Sequence, residues 1–587
     1  MINKTVVILG AGPAGLATAF EFIKQGVQPI VLEKTDKVGG IARTETYKDY
    51  YFDIGGHRFF TKNDQVNTLW HDMLGKDFIK VRRISRIYYE GRLFNYPLSI
   101  SNTLLNLGIL ESLLIMLSYF NAQFKPYREE KTFEQWVSNR FGRRLYKTFF
   151  QTYTEKVWGI PCNKIQADWA AQRIKGLSLV AAVSNALLGI KNAKSLIDEF
   201  HYPTKGPGMM WEQFRKKIED EGGKVMLNSE ATGLKHKNGR IISVSYINSE
   251  KRMEISVDHL ISCIPITKLV NLLYPKVPSE VLSSAAKLTY RAFIIVILII
   301  DKQDLFSDQW IYIHSPDVKV GRIQNFKNWS AVMVPDPKKT SVGMEYFCTE
   351  GDGIWTMSDS ELVELASREL SELGFSEIDE VIDSFIVRQP GAYPVYEPNY
   401  KDYLEDIKRF LTSIDNLQTI GRNGMHRYNN MDQSMYVGML AAQNVLGANH
   451  DLWKVNEEKE YLEETKIKTE SGDSENVLIS AFSRMDKLAM ASAVGSASGI
   501  FFFLITIWLV IKGGDFVGPN LSLLNQYFPN FTVTISGAFL AFGYAFIWGF
   551  LFGWLFAYLR NLLLAFYIYR VKKKTELLTF LDFFDNL

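Results

Sequence analysis

Thr5-Val6-Val7-Ile8-Leu9-Gly10-Ala11-Gly12-Pro13-Ala14-Gly15 decides the fold of this chain. A short apolar run ends at a glycine, and Leu16 to Gln25 continues with apolar residues at helical spacing. Glycines at this spacing allow a tight turn, close approach of a pyrophosphate and close helix packing, with the helix N-terminus facing the phosphates. Gly10, Gly12 and Gly15 are therefore candidate cofactor-binding residues. The glycine spacing alone is a weak signal, but a second apolar run, Gln28 to Leu32, ends at Glu33, where a carboxylate accepts hydrogen bonds from a ribose. The residues before Gly10 read as a structural strand rather than a targeting peptide, since no small-residue cleavage site follows them.

Further along, Met210 to Glu221 reads as an amphipathic helix. Lys224 to Leu227, Ile241 to Ile247 and His259 to Ile264 read as strands. Length alone calls for more than one unit in 587 residues. With 66 basic against 64 acidic side chains, the net charge of +2 gives no overall attraction to nucleic acid. Cys162, Cys263 and Cys348 are far apart, without C-x-x-C spacing or a histidine cluster, so neither a disulfide framework nor a metal site is indicated.

The apolar content is concentrated at the C-terminal end. Leu488 to Ile511 and Ile535 to Leu559 carry no charge over 24 and 25 residues, long enough to cross a bilayer core of roughly 20 residues. A buried helix pair in a soluble protein is the alternative. Arg484 and Lys487 precede the first run, and Arg560, Arg570, Lys572, Lys573 and Lys574 follow the second, which predicts a two-span membrane protein with its catalytic domain in the cytoplasm. Gly495 with Gly499, and Gly549 with Gly553, are spaced for close helix packing, within a hairpin or with another chain. The predicted organisation is a domain over 1–467, a polar linker over 468–487, a hairpin with a basic end over 488–574 and a tail over 575–587. Ile109 to Phe120 is also mostly apolar and reads as core, with contact to a bilayer as the alternative.

Glu33-Lys34, followed by Val38-Gly39-Gly40-Ile41-Ala42-Arg43, resembles the FAD-binding start of amine oxidases, phytoene desaturases and UDP-galactopyranose mutases. That resemblance implies FAD rather than free NAD, with Lys34 and Gly40 beside the cofactor and Arg43 against its pyrophosphate. Gly55-Gly56-His57 resembles the mutase segment beside the flavin ring, where His57 tunes the flavin; a structural histidine in a turn is the alternative. The second histidine that commonly follows in mutases is Phe60 here.

Three further segments resemble the mutases more narrowly. Tyr153-Thr154-Glu155-Lys156-Val157-Trp158-Gly159 implies that Trp158 covers a sugar or uracil, with core packing as the alternative. Arg173 holds the place of a pocket arginine, and Val320-Gly321-Arg322 resembles a strand supplying a diphosphate-binding guanidinium. Its expected partner is Arg422, in Gly421-Arg422-Asn423-Gly424-Met425-His426-Arg427-Tyr428-Asn429-Asn430-Met431-Asp432; the alternative for either arginine is an ordinary ion pair. Tyr393 and Tyr428 are implied to line the cleft, and Met431 and Asp432 to lie against the flavin. His426 replaces a usual tyrosine, which implies a missing phosphate-binding phenol.

The expected fold is thus α/β, a Rossmann-like FAD-binding domain with inserted α/β substrate domains, plus a C-terminal transmembrane hairpin. The resemblance implies a pyranose/furanose mutase in which reduced FAD attacks the anomeric carbon of a UDP- or polyprenyl-phosphate-linked sugar through N5, His57, Arg322 and Arg422 being the catalytic residues. Expected partners are that sugar, membrane lipid and a glycosyltransferase or second copy at the hairpin. The alternatives are a membrane-anchored FAD oxidoreductase, desaturase- or amine-oxidase-like, on a lipid-soluble substrate, and a non-catalytic flavoprotein scaffold.

Overall fold

A strand flanked on both edges and covered on both faces must be apolar throughout, and Val6 to Leu9 is buried at every position. Strands β1 (Val6–Leu9), β2 (Ile30–Leu32), β3 (Lys224–Met226), β4 (His259–Ser262) and β5 (Leu417–Thr419) form a parallel sheet in the order β3-β2-β1-β4-β5. Val6 and Ile8 face a core shared with helix α1 (Pro13–Lys24), while Val7 and Leu9 face one built with Leu234, Val244 and Leu269. The computed structural model describes residues 4–96, 100–167, 194–196, 199–455, 464–466, 485–513 and 517–585. The chain divides into two compact units, Met1–Lys466 and Ile467–Leu587.

In a second, seven-stranded sheet, Tyr290–Ile300 lies second from one edge, and its β-branched run is buried on both sides. Phe293, Ile295 and Ile297 enter one core, and Ala292, Ile294 and Val296 the other. This sheet carries Arg322 on the strand Arg322–Asn325 and Tyr393 near the end of Val381–Pro394. Helix α2 (Ile109–Phe124) differs from the expectation of a core segment. Ile115 and Tyr119 are buried, but Leu110, Leu113, Leu117, Phe120 and Phe124 are exposed, so only one face of this helix is covered. Near the end of the unit, α3 (Met431–Val445) crosses α1 so closely that a Cβ at Gly438 would fall 2.4 Å from the Ala14 carbonyl oxygen. The Thr18 hydroxyl bridges the crossing, donating to Ala14 O and Gly438 O.

In the second unit, α4 (Lys487–Lys512) packs on α5 (Ile535–Asp585). Both have segments long and apolar enough to cross a membrane, Lys487–Lys512 and Ile535–Leu562. The second helix runs past the expected span to Asp585, since neither glycine nor proline interrupts it after Gly553. Cβ atoms at Gly495, Gly499, Gly549 and Gly553 would each fall between 2.8 and 2.9 Å from an atom of the facing helix. These glycines therefore serve close packing within the hairpin. The expected linker over 468–487 lies largely outside the described residues.

Gly549→Leu should separate the two helices and lower the thermal unfolding midpoint of the detergent-solubilised protein. Gly543→Leu, where an added Cβ meets nothing within 4 Å, should leave it unchanged.

Candidate active site

The turn after β1 is built to bring backbone together. Gly10 has φ +100°, and a Cβ at Gly15 would lie 2.0 Å from the Gly10 carbonyl oxygen, so α1 starts in contact with the strand end. Gly12, at the helix N-cap, has only the Gly40 Cα within 4.0 Å of where its Cβ would stand, and Gly40 itself has φ +54°. Two glycine turns thus face each other across bare backbone. The Glu33 carboxylate accepts from Ala11 N–H at 2.8 Å and from the Thr35 N–H and hydroxyl at 3.0 and 2.8 Å. It stitches the turn together while still lining the cavity, with part of its acceptor capacity left. Lys34 is exposed at the rim.

Arg43 also reaches the cavity wall, but its Nε donates to Glu45 at 2.6 Å and its Nη1 to Gly40 O at 2.9 Å. Burial works against the Glu45 charge, yet the bonds from Lys37 and Arg43 hold that carboxyl below its usual range. Much of the charge expected to meet a pyrophosphate is therefore spent on Glu45.

Beyond these turns opens one cavity of about 1810 Å³, lined from both sheets and by α2 and α3. Single ligand sites are typically ~300–1,000 Å³, so the space suits a dinucleotide and a second ligand together. Gly56, His57, Trp158, Arg322, Tyr393, Arg422, Tyr428, Met431 and Asp432 all line it, as do Gly10, Gly12, Glu33 and Gly40. Gly15 acts from behind, through packing. Arg173 lies outside the described residues.

The two expected anion-binding arginines differ sharply. Arg322 donates through Nε and Nη2 to one oxygen of Glu345, at 2.9 and 2.6 Å, and Gln324 donates to the other. Glu345 is fully buried, so Arg322, while lining the cavity, stands in a buried ion pair, the arrangement given as the alternative for it. Arg422 has no carboxylate within 4 Å among the described residues. It donates to the backbone carbonyls of Asn429 and Ala392 and lies over the Tyr428 ring at 4.4 Å. Tyr393 and Tyr428 stack at 5.8 Å beside it. Burial, then the charges of Arg422 and Arg322, push His57 down to about 3, so its ring is neutral at physiological pH. Its Nδ1 is buried without a hydrogen-bond partner among the described residues.

Trp158 is only 4% exposed and stacks on Tyr396, so most of its ring is core. Arg291 holds its helix end by donating to the carbonyls of Lys156 and Val157. His426 does not line the cavity: it is buried against Tyr290 at 4.8 Å. Sequence reasoning passed over Tyr153, which lines the cavity and stacks on His314 at 4.9 Å. It stands in the same segment as Trp158, one helical turn and a residue earlier, and how much of each ring the cavity exposes depends on how that helix is rolled. Burial pushes Asp432, at the start of α3, up to about 6, with the Thr61 hydroxyl offsetting part.

The residues present fit FAD. The facing glycine turns leave backbone open where phosphates sit, α1 begins without a side-chain cap, and the buried His57 Nδ1 and Asn423 Oδ1 await partners at the cavity wall.

A family model described as flavin containing amine oxidoreductase matches residues 13–446. The chain is 25% identical over 178 residues to a probable UDP-galactopyranose mutase of Klebsiella pneumoniae, covering 29% of this chain and 44% of the relative. It is 33% identical over 153 residues to a probable flavin-containing monoamine oxidase A of Dictyostelium discoideum, covering 22% of this chain and 32% of the relative. These matches span less than half of either relative's length. In structure it resembles reduced UDP-galactopyranose mutase, with a TM-score of 0.67 at 20% identity, over 78% of this chain and 100% of that one. Putrescine oxidase bound to putrescine is also similar, with a TM-score of 0.52 at 15% identity, over 76% and 99%.

Arg322→Ala should strand the buried Glu345 charge, cost about 3–5 kcal/mol and release the cofactor, whereas Arg322→Met combined with Glu345→Gln should regain most of the thermal stability. Because the folded protein raises the Asp432 carboxyl, the unfolded chain loses that proton first. Stability of the cofactor-free protein should therefore fall as pH rises from about 4 through 6. Denaturant titrations should show that part of the slope vanish in Asp432→Asn.

Proposed function

The chain belongs to the flavin containing amine oxidoreductase family and its cofactor is FAD; from that premise we propose that it is a pyranose/furanose mutase acting on an activated sugar at a membrane. The sugar carrier is a UDP or polyprenyl phosphate, and the setting is cell-surface polysaccharide biosynthesis. Arg422 is the observation that carries this reading: a guanidinium without a carboxylate partner among the described residues, flanked by two stacked phenols, in the cavity that fits the cofactor. Simple apolar-amine oxidation has no use for such a group, while a departing phosphate needs a fixed planar donor.

Gly10, Gly12, Glu33, Gly40, Met431 and Asp432 would hold FAD, with Gly15 keeping α1 in place. Bound in its reduced form, the flavin supplies a nucleophile, so a ring contraction needs reductant without net oxidation. Arg422 binds the phosphate and stabilises its charge as it leaves the anomeric carbon. Tyr393 and Tyr428 hold the guanidinium over their rings, at 5.7 and 4.4 Å, and keep water out of the cleft. Neutral His57 offers hydrogen bonds beside the flavin without adding a charge. Arg322, neutralised by Glu345, shapes the wall beside Gly55 and Gly56 instead of binding phosphate alone. The hairpin spans the membrane with the basic flanks, and hence the catalytic unit, on the cytoplasmic side.

The second reading, an FAD oxidoreductase on a lipid-soluble substrate, is favoured by the apolar residues Ile115, Met116, Phe141 and Phe149 in the cavity wall and by the likeness to oxidases. Anaerobic assay of the dithionite-reduced protein with UDP-galactose and with a polyprenyl-phosphate hexose should yield furanose product. Arg422→Ala should lower that turnover about 10²–10³-fold with flavin content unchanged. Flavin reoxidation by a lipid-soluble acceptor with no isomerisation of either sugar would transfer the assignment to the oxidoreductase.

A further inference from the structure

Helix α2 is apolar on two opposite sides. Leu110, Leu113, Leu117, Phe120 and Phe124 recur at spacings of three and four, and they are 74, 57, 64, 50 and 84% exposed. On the other side Ser112, Ile115 and Met116 form part of the active-cavity wall. Near the helix start, Glu111 is held by two bonds from Arg144, at 2.5 and 2.6 Å, which takes its charge out of the stripe. Past the C-terminus follow exposed Lys125, Tyr127 and Arg128, the residue types that sit at the headgroup level of a bilayer. A contiguous stripe of this kind calls for a cover.

Lipid is the cover that the rest of the chain supplies. The same polypeptide carries two helices long and apolar enough to cross a membrane, and residues 467–486, even fully extended, reach no more than roughly 70 Å. A unit tethered within that length of a membrane-crossing pair meets lipid at a high effective concentration.

We propose that α2 is an in-plane membrane helix: its outer stripe sinks into the cytoplasmic leaflet, and its inner face walls an apolar arm of the active cavity that receives the hydrocarbon tail of a lipid substrate. Leu107, Ile115, Met116, Phe141, Leu145 and Phe149 line the cavity, and all but Met116 belong to or pack on one apolar cluster there. Carrying the tail through protein between leaflet and cavity keeps its methylenes out of water, which would otherwise oppose entry. The docking half stands on the exposed stripe alone, whereas the tail half rests on the reading of the site as acting on an activated, lipid-linked sugar.

Two measurements on the full chain in phosphatidylethanolamine/phosphatidylglycerol vesicles separate these halves. An environment-sensitive fluorophore at Leu113→Cys or Leu117→Cys should be quenched at least 2-fold by lipid bearing a shallow nitroxide. The same label at Ile378→Cys, another exposed apolar position, should not respond. Equal, weak quenching at all three sites would overturn the docking, and so would protection at 113 and 117 that disappears when protein is diluted in lipid, because a second copy would then be the cover. For the tail, decaprenyl phosphate should perturb the flavin spectrum, and Met116→Trp, which fills the arm, should weaken that binding about 10-fold while leaving the fluorescence quenching intact. Unaltered decaprenyl phosphate binding in Met116→Trp would remove the arm, and binding without any sugar isomerisation would remove only the mutase reading.

Discussion

A helix can begin in contact with the strand before it only where no Cβ intervenes, and the cofactor half of this protein depends on that condition at Gly15. The Gly10 carbonyl occupies the place a side chain would need, so α1 starts at the end of β1 with its N-terminal N–H groups turned to the cavity. The same closeness recurs where α3 crosses α1 at Gly438. Through that crossing the last strand-helix connection brings Met431 and Asp432 back to the first turn, more than four hundred residues away in sequence. Glu33 completes the arrangement by binding the turn at Ala11, so one carboxylate both sets the loop and faces the cavity.

Between Arg322 and Arg422, the distribution of charge is set by one buried acid. Glu345 has no exposure to water and takes both Arg322 and Gln324, which makes the guanidinium tolerable in a closed wall and removes most of its attraction for an anion. Arg422, with carbonyls and aromatic faces around it, keeps its charge available. Two arginines that look equivalent along the chain are thereby given different work. The neutrality of His57 follows from the same design, since burial beside two guanidiniums disfavours a third positive charge.

How much of this was legible depends on the range of the interaction. The glycine turn, the strand ending at Glu33 and the charge-free runs after Leu488 are local patterns, and the helix and strands expected over 210–221, 224–227 and 259–264 coincide with elements of the structure to within a few residues. Trp158 and His426 show the opposite case. Both stand in segments that resemble a substrate cleft, yet tertiary packing turns one mostly and the other wholly into core, because a large ring near a helix end is covered by whichever element crosses it. The exposure of α2 was likewise hidden, since an apolar stretch covered by protein and one left open have the same composition.

By itself the sequence determined the phosphate-binding turn, the α/β cofactor domain and two C-terminal helices with the length and composition to cross a membrane, because each rests on neighbours within one or two turns of chain. Only the tertiary structure decided which of the two arginines is paired with a carboxylate, which aromatic rings line the cavity, that the hairpin glycines pack against the facing helix, and that α2 is bare on one side. Those outcomes are set by partners such as Glu345, Tyr396 and Phe546, which are distant in sequence and reach these residues only once the chain has folded.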